Sequence, residues 1–137
     1  MQTLRFWLTA TLPLLLAPGL LAAGLYGERY CEQPGYYCLT VEPGDSWESL
    51  FSFEKHRDTV MRLNRMNIRL HPGMRIAVPR DLDFVSPEVI APFDAYIEPG
   101  DSNLIMIDLD ELSWGAYSAD GELLKWGPIS GGKDYCA

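Results

Sequence analysis

Histidine, cysteine and basic charge are all scarce in this chain of 137 residues. Its two histidines, His56 and His71, and three cysteines, Cys31, Cys38 and Cys136, fall in no spacing that would hold a zinc ion, and no cofactor is expected. Lysine and arginine number 11 against 19 acidic residues, a net charge of −8. Such a surface repels phosphate backbones, which argues against nucleic acid as a partner. Long apolar runs are also missing. A membrane-crossing helix needs about 20 apolar residues, and the one candidate stretch, beginning at Phe6, is broken by Pro13, Pro18 and Gly19.

That interrupted stretch reads instead as an export signal over residues 1–24. Arg5 is its single charge, and the small residues Ala22, Ala23 and Gly24 offer a cleavage site. Cleavage leaves no stable membrane span. It removes one base and no acid, so the mature chain carries 10 basic and 19 acidic residues, a net charge of −9. The remaining 113 residues suit one ordinary domain or two small ones. An exported chain in the periplasm or cell envelope meets oxidising conditions. Cys31 and Cys38 are close enough in sequence to close a small loop, which leaves Cys136 without an intrachain partner.

The chain also lacks an internal repeat, although one phrase occurs twice. VEPGDS at residues 41–46 returns as IEPGDS at residues 97–102. After the first copy comes a strand–helix–helix–strand pattern. Leu39 and Val41 alternate with polar neighbours as a strand, and Pro43-Gly44 turns the chain. Asp45 and Glu48 have capping-box spacing, and Trp47, Leu50 and Phe51 form one apolar stripe. Asp58 is placed to cap a second helix bearing Val60 and Leu63. Pro72-Gly73 makes another turn before Met74, Ile76 and Val78 alternate as a closing strand. After the second copy the pattern is all strand: residues 104–108, 114–117 and 123–126, with Ala119-Asp120-Gly121 as a hairpin turn. Glu-Pro-Gly-Asp is thus a turn reused, not a module repeated. The expected class is α+β, a small βααβ module followed by a partial antiparallel β domain.

Residues 37–79 resemble the LysM family. Leu39-Thr40-Val41-Glu42-Pro43-Gly44-Asp45-Ser46-Trp47 is similar to its opening strand and helix start, Leu63-Asn64 to the end of its second helix, and Pro72-Gly73-Met74-Arg75-Ile76-Ala77-Val78-Pro79 to its closing strand. The segment 66–71 departs from the family, being shorter than the usual connection and lacking its Asn-Pro. The resemblance implies binding of N-acetylglucosamine glycans, of peptidoglycan or chitin type, in a shallow groove between two loops. By position those loops contain Gly44, Asp45, Ser46 and Trp47 on one side and Asn67, Ile68, Leu70, Pro72 and Gly73 on the other. Acetamido sugars call for backbone hydrogen bonds and apolar surface, which Ile68 and Leu70 supply. Trp47 and Leu50 read first as core residues, and Asp45 first as a helix cap.

Residues 104–132 resemble the opening strands of a YkuD-type L,D-transpeptidase domain. The carriers are Ile105-Met106-Ile107-Asp108-Leu109, Leu112-Ser113-Trp114-Gly115-Ala116-Tyr117, Asp120-Gly121-Glu122-Leu123 and Pro128-Ile129-Ser130-Gly131-Gly132. The Gly-Gly-Lys-Asp-Tyr-Cys ending is similar to an enhanced-entry branch of that family. The family's cysteine nucleophile lies in a Ser/Thr-His-Gly-Cys segment, whereas Lys133-Asp134-Tyr135 precede Cys136. No catalytic residue is therefore assigned.

The organisation expected is a signal at 1–24, an N-terminal segment at 25–36, a LysM-like module at 37–80, a connector at 81–98 and an incomplete transpeptidase-like β domain at 99–137. Three readings stand. One is an exported peptidoglycan-binding protein corresponding to the N-terminal portion of an L,D-transpeptidase-like protein. Another is a cell-wall cross-linking enzyme whose catalytic segment lies beyond residue 137. The third is an envelope interaction protein that pairs through unfilled strand edges.

Overall fold

The computed structural model describes residues 25–130; residues 1–24, expected to be an export signal, and Cys136 lie outside the described residues. A short 3-10 turn at Tyr26–Tyr30 leads into strand β1, Tyr36–Thr40, with Cys31 and Cys38 joined by a disulfide across that approach. Helix α1 spans Trp47–Leu50, helix α2 Glu54–Leu63, and strand β2 Arg75–Pro79 pairs antiparallel with β1. Strands β3 (Leu104–Asp108), β4 (Ser113–Tyr117) and β5 (Leu123–Pro128) then form an antiparallel meander. The class is α+β with two antiparallel sheets. Among the described residues no helix is long and apolar enough to cross a membrane.

Both helices start elsewhere than capping spacing predicts. Ser46, not Asp45, caps α1: its side chain accepts the Ser49 N–H, and its own N–H donates to Ser49 Oγ at 2.8 Å. Asp45 serves the preceding turn instead, where Oδ2 accepts the Glu42 N–H at 2.7 Å. Helix α2 begins at Glu54, a full turn before Asp58, which sits inside the helix and pairs with Arg62 at i+4. The start is pulled forward because Arg57 Nη1 donates to the carbonyls of Phe51 and Ser52, each at 2.9 Å, and so holds the α1–α2 link.

The two helices cover the two-stranded sheet. Val41, Trp47, Phe51, Val60, Met66, Ile76 and Val78 make one buried cluster, with Leu50 packed against it at the margin. Strand β2 is buried on both faces, since Ile76, Ala77 and Val78 are all fully enclosed. Its outer edge has no third strand. The side chain of Asn64, at the end of α2, occupies that place: Oδ1 accepts the Ala77 N–H at 2.7 Å, and Nδ2 donates to the Ala77 carbonyl at 2.8 Å.

The connector is laid along the meander. Ile97 N–H donates to the Gly121 carbonyl, Leu123 N–H to the Ala95 carbonyl, and Tyr117 Oη to the Asp94 carbonyl. Trp126 is buried, with its indole N–H on the Pro87 carbonyl and the Arg62 guanidinium above its ring. Apolar side chains are exposed along β3, where Ile105 and Ile107 are each about two-thirds exposed, and also at Phe53, Phe84 and Val89.

A second contact joins the two halves. Tyr26 Oη donates to Glu111 Oε2, Arg65 Nε donates to the Glu111 carbonyl at 2.7 Å, and Arg65 Nη2 donates to Tyr26 Oη at 3.1 Å. Arg29 lies over the Tyr26 ring and completes the cluster. Burial of Tyr26, aided by its bond to Glu111, pushes its phenol well above the usual range, with Arg65 opposing.

Candidate functional site

Two turns of the same local geometry flank the site. Residues 42–45 form a turn with Pro43 and Gly44 at its centre, closed by the Asp45 N–H on the Glu42 carbonyl at 3.1 Å. Residues 71–74 repeat the geometry around Pro72 and Gly73, closed by the Met74 N–H on the His71 carbonyl at 3.2 Å. Gly44 has φ +96° and Gly73 φ +89°, the left-handed conformation that the third residue of a Pro-Gly turn requires. The Gly73 N–H on the Val41 carbonyl at 2.8 Å ties the two turns together.

Beside them, lined by the residues that follow the first turn and precede the second, lies a groove of about 600 Å³. Asp45, Ser46, Trp47 and Glu48 form one wall, residues 67–70 the other, and Met61 of α2 lies between. Trp47 belongs to both core and groove. Its ring is buried against Phe51, while its indole N–H donates to the Ile68 carbonyl at 2.8 Å. That bond anchors the loop and leaves the Ile68 side chain outside, about half exposed. Leu70 folds back toward the core cluster.

Asp45, Ser46, Trp47, Asn67, Ile68 and Leu70 thus come together at one cleft. Gly44, Pro72 and Gly73 do not line it. They shape the turns that carry its walls. Glu48, Met61 and Arg69 line the groove but were not anticipated. Arg69 lies between two residues that were, whereas Met61 is recruited only because the 67–70 loop returns over α2. The mix of an exposed isoleucine, a methionine, an open asparagine and a few charges suits a neutral polar ligand with apolar faces.

Another cleft, of about 480 Å³, separates Tyr30, Tyr36 and Leu63 from Val85, Val89 and Ile90. Arg65 reaches its edge, but that guanidinium is already bonded to the Arg62 carbonyl, the Glu111 carbonyl and Tyr26 Oη. This cleft is a seam between segments and presents no free cation from Arg65. Among the described residues, no three histidine, cysteine or acidic side chains gather as a metal site. Compared with known proteins, the chain matches no family model, no curated protein and no solved structure.

Proposed function

We propose that this is an exported envelope protein that binds N-acetylglucosamine glycan strands of peptidoglycan in the groove between residues 45–48 and 67–70. The observation that carries the reading is the pairing of Trp47 with Ile68. One indole hydrogen bond fixes a loop so that an isoleucine and open polar groups face outward opposite a capped helix start. Acetamido sugars present that demand, an apolar methyl and ring face beside amide and hydroxyl groups. The LysM-like phrases at residues 39–47, 63–64 and 72–79 support the same ligand, and the signal-like residues 1–24 support delivery to the envelope. The strands after residue 103, similar to an L,D-transpeptidase opening, support a cell-wall setting.

The test is co-sedimentation of the chain lacking residues 1–24 with insoluble peptidoglycan. Binding is expected, with release by soluble N-acetylglucosamine oligomers. Ile68→Glu puts a charge on the apolar wall without touching the core, and it should weaken binding about tenfold, as unpaired charge against apolar surface does. Equal sedimentation of Ile68→Glu and wild type, or release by chloride alone, overturns the reading.

A further inference from the structure

The glycan groove does not end at α2. Met61 and Asn67 also line a second cleft of about 210 Å³, which opens between α2 and β5. The sheet contributes Trp114 and Lys125 to it, and α2 contributes Asp58 and Arg62. Trp114 is paired with Gly127, two residues from Lys125, so the indole and the ammonium stem rise from the same sheet face. Gly127 makes room for that indole, since a Cβ there would lie 3.1 Å from Trp114 Nε1.

The charges of this cleft do not cancel. Arg62 Nε holds both carboxylate oxygens of Asp58 at 2.9 Å, which neutralises that pair. Lys125 makes no ion pair among the described residues. A cation without a salt-bridge partner stands beside an aromatic wall, with Glu88 across the adjoining cleft, on a chain whose net charge is −8.

We propose that this cleft is a second subsite, which takes a carboxylate-bearing peptide substituent of the same amino-sugar strand whose sugars lie in the first groove. The inference rests on the glycan-binding reading and adds the peptide-bearing form as the preferred ligand. Lys125 pairs with a peptide carboxylate, and Trp114 gives apolar surface to the peptide's small side chains. Because the peptide is tethered to a sugar already held, the second contact is intramolecular, and even a weak ion pair adds to affinity.

The experiment uses the chain lacking residues 1–24 and two soluble probes of equal sugar length, one a peptide-free acetamido-sugar oligomer and the other bearing acidic stem peptides. Titration calorimetry should show the peptide-bearing probe bound about two- to fivefold more tightly, the size of an exposed ion pair. The preference should shrink as salt is raised. Lys125→Gln should abolish it and Lys125→Glu should reverse it, both leaving peptide-free binding unchanged, while Lys125→Arg should keep it. Equal affinity of wild type for both probes overturns the subsite and leaves the glycan reading standing. A Lys125→Gln chain that weakens on both probes alike also overturns it. Binding of the peptide-free probe alone overturns the subsite, and failure of both probes to bind overturns both readings.

Discussion

Asn64 pairs with Ala77 as a neighbouring strand would, accepting its N–H at 2.7 Å and donating to its carbonyl at 2.8 Å. One side-chain amide therefore satisfies the outward N–H and carbonyl of Ala77, which is fully buried on the outer edge of β2. The same amide donates to the Val60 carbonyl within α2, and Gly27 packs so closely that a Cβ there would fall 1.8 Å from Asn64 Oδ1. Helix, sheet and N-terminal turn meet on this residue.

Asn64→Ala should therefore destabilise the chain by about 2–4 kcal/mol, because it strands a buried N–H and a buried carbonyl together. Asn64→Asp should be no better, since it restores the acceptor but sets a carboxylate oxygen against the Ala77 carbonyl. Urea unfolding of the purified variants measures both. A loss below about 0.5 kcal/mol for the alanine variant, the level of an ordinary surface change, would show that the edge is satisfied in another way.

The order of elements around this junction was legible in the sequence, and the junction itself was not. Apolar alternation and turn residues marked both strands of the first sheet, the helical stripe of Trp47 and Phe51, and the three strands of the meander. Only β4 shows the alternating burial that a half-buried strand implies, with β2 buried on both faces and β3 exposed. Capping was misplaced at Asp45 and Asp58 because several polar residues compete at each helix start, and long-range bonds such as Arg57 to Phe51 decide among them. Six of the nine groove residues named from sequence line the cleft, because they lie in two short loops; Met61 enters from a distant helix and has no local signature. The joining of the halves through Tyr26, Arg65 and Glu111 depends on residues up to 85 positions apart, and no spacing rule reaches that far.

That joining should respond to alkaline pH. Tyr26 is held neutral in the folded chain, with its ionisation raised above the ordinary 10.0 by burial and by Glu111. A raised folded value means that the contribution is complete below pH 10 and declines above it, as the unfolded chain ionises a phenol that the folded chain keeps protonated. Tyr117 is raised in the same direction by burial and by Asp94, so it adds to the slope. Thermal midpoints followed from about pH 8 to 11 should fall less steeply in Tyr26→Phe than in wild type. Parallel slopes would remove Tyr26 from the account.

The Cys31–Cys38 bond, with Cα atoms 5.1 Å apart, fastens the 3-10 turn to β1. Through that turn it supports both Gly27 against Asn64 and Tyr26 against Glu111. Loop closure over so short a segment stabilises by about 2–3 kcal/mol. Replacing both cysteines by serine should lower the urea midpoint accordingly and flatten the alkaline slope as the Tyr26 contacts loosen. Alkylation of the unreduced native monomer should leave Cys31 and Cys38 unlabelled. Label on either one defeats the prediction.

Gly73 and Gly27 are both glycines for conformational or steric reasons, and substitution separates the two causes. At Gly73 a Cβ meets nothing within 4 Å, but φ is +89°. Gly73→Val should destabilise by about 1–2 kcal/mol through backbone strain alone, and Gly73→Asn less, because asparagine tolerates left-handed backbone. A D-alanine placed at 73 by chemical ligation should cause no loss, since its Cβ lies on the side that this conformation leaves open. At Gly27 the obstacle is Asn64 itself, so Gly27→Ala should be destabilising, and Asn64→Ala should relieve part of that effect in the double variant. Glycan binding should follow the same division. Gly73→Val should weaken it by loosening the loop that carries Asn67 and Ile68, and D-alanine should leave it intact. If valine and D-alanine at 73 behave alike in stability and binding, the turn geometry is not what holds the groove wall in place.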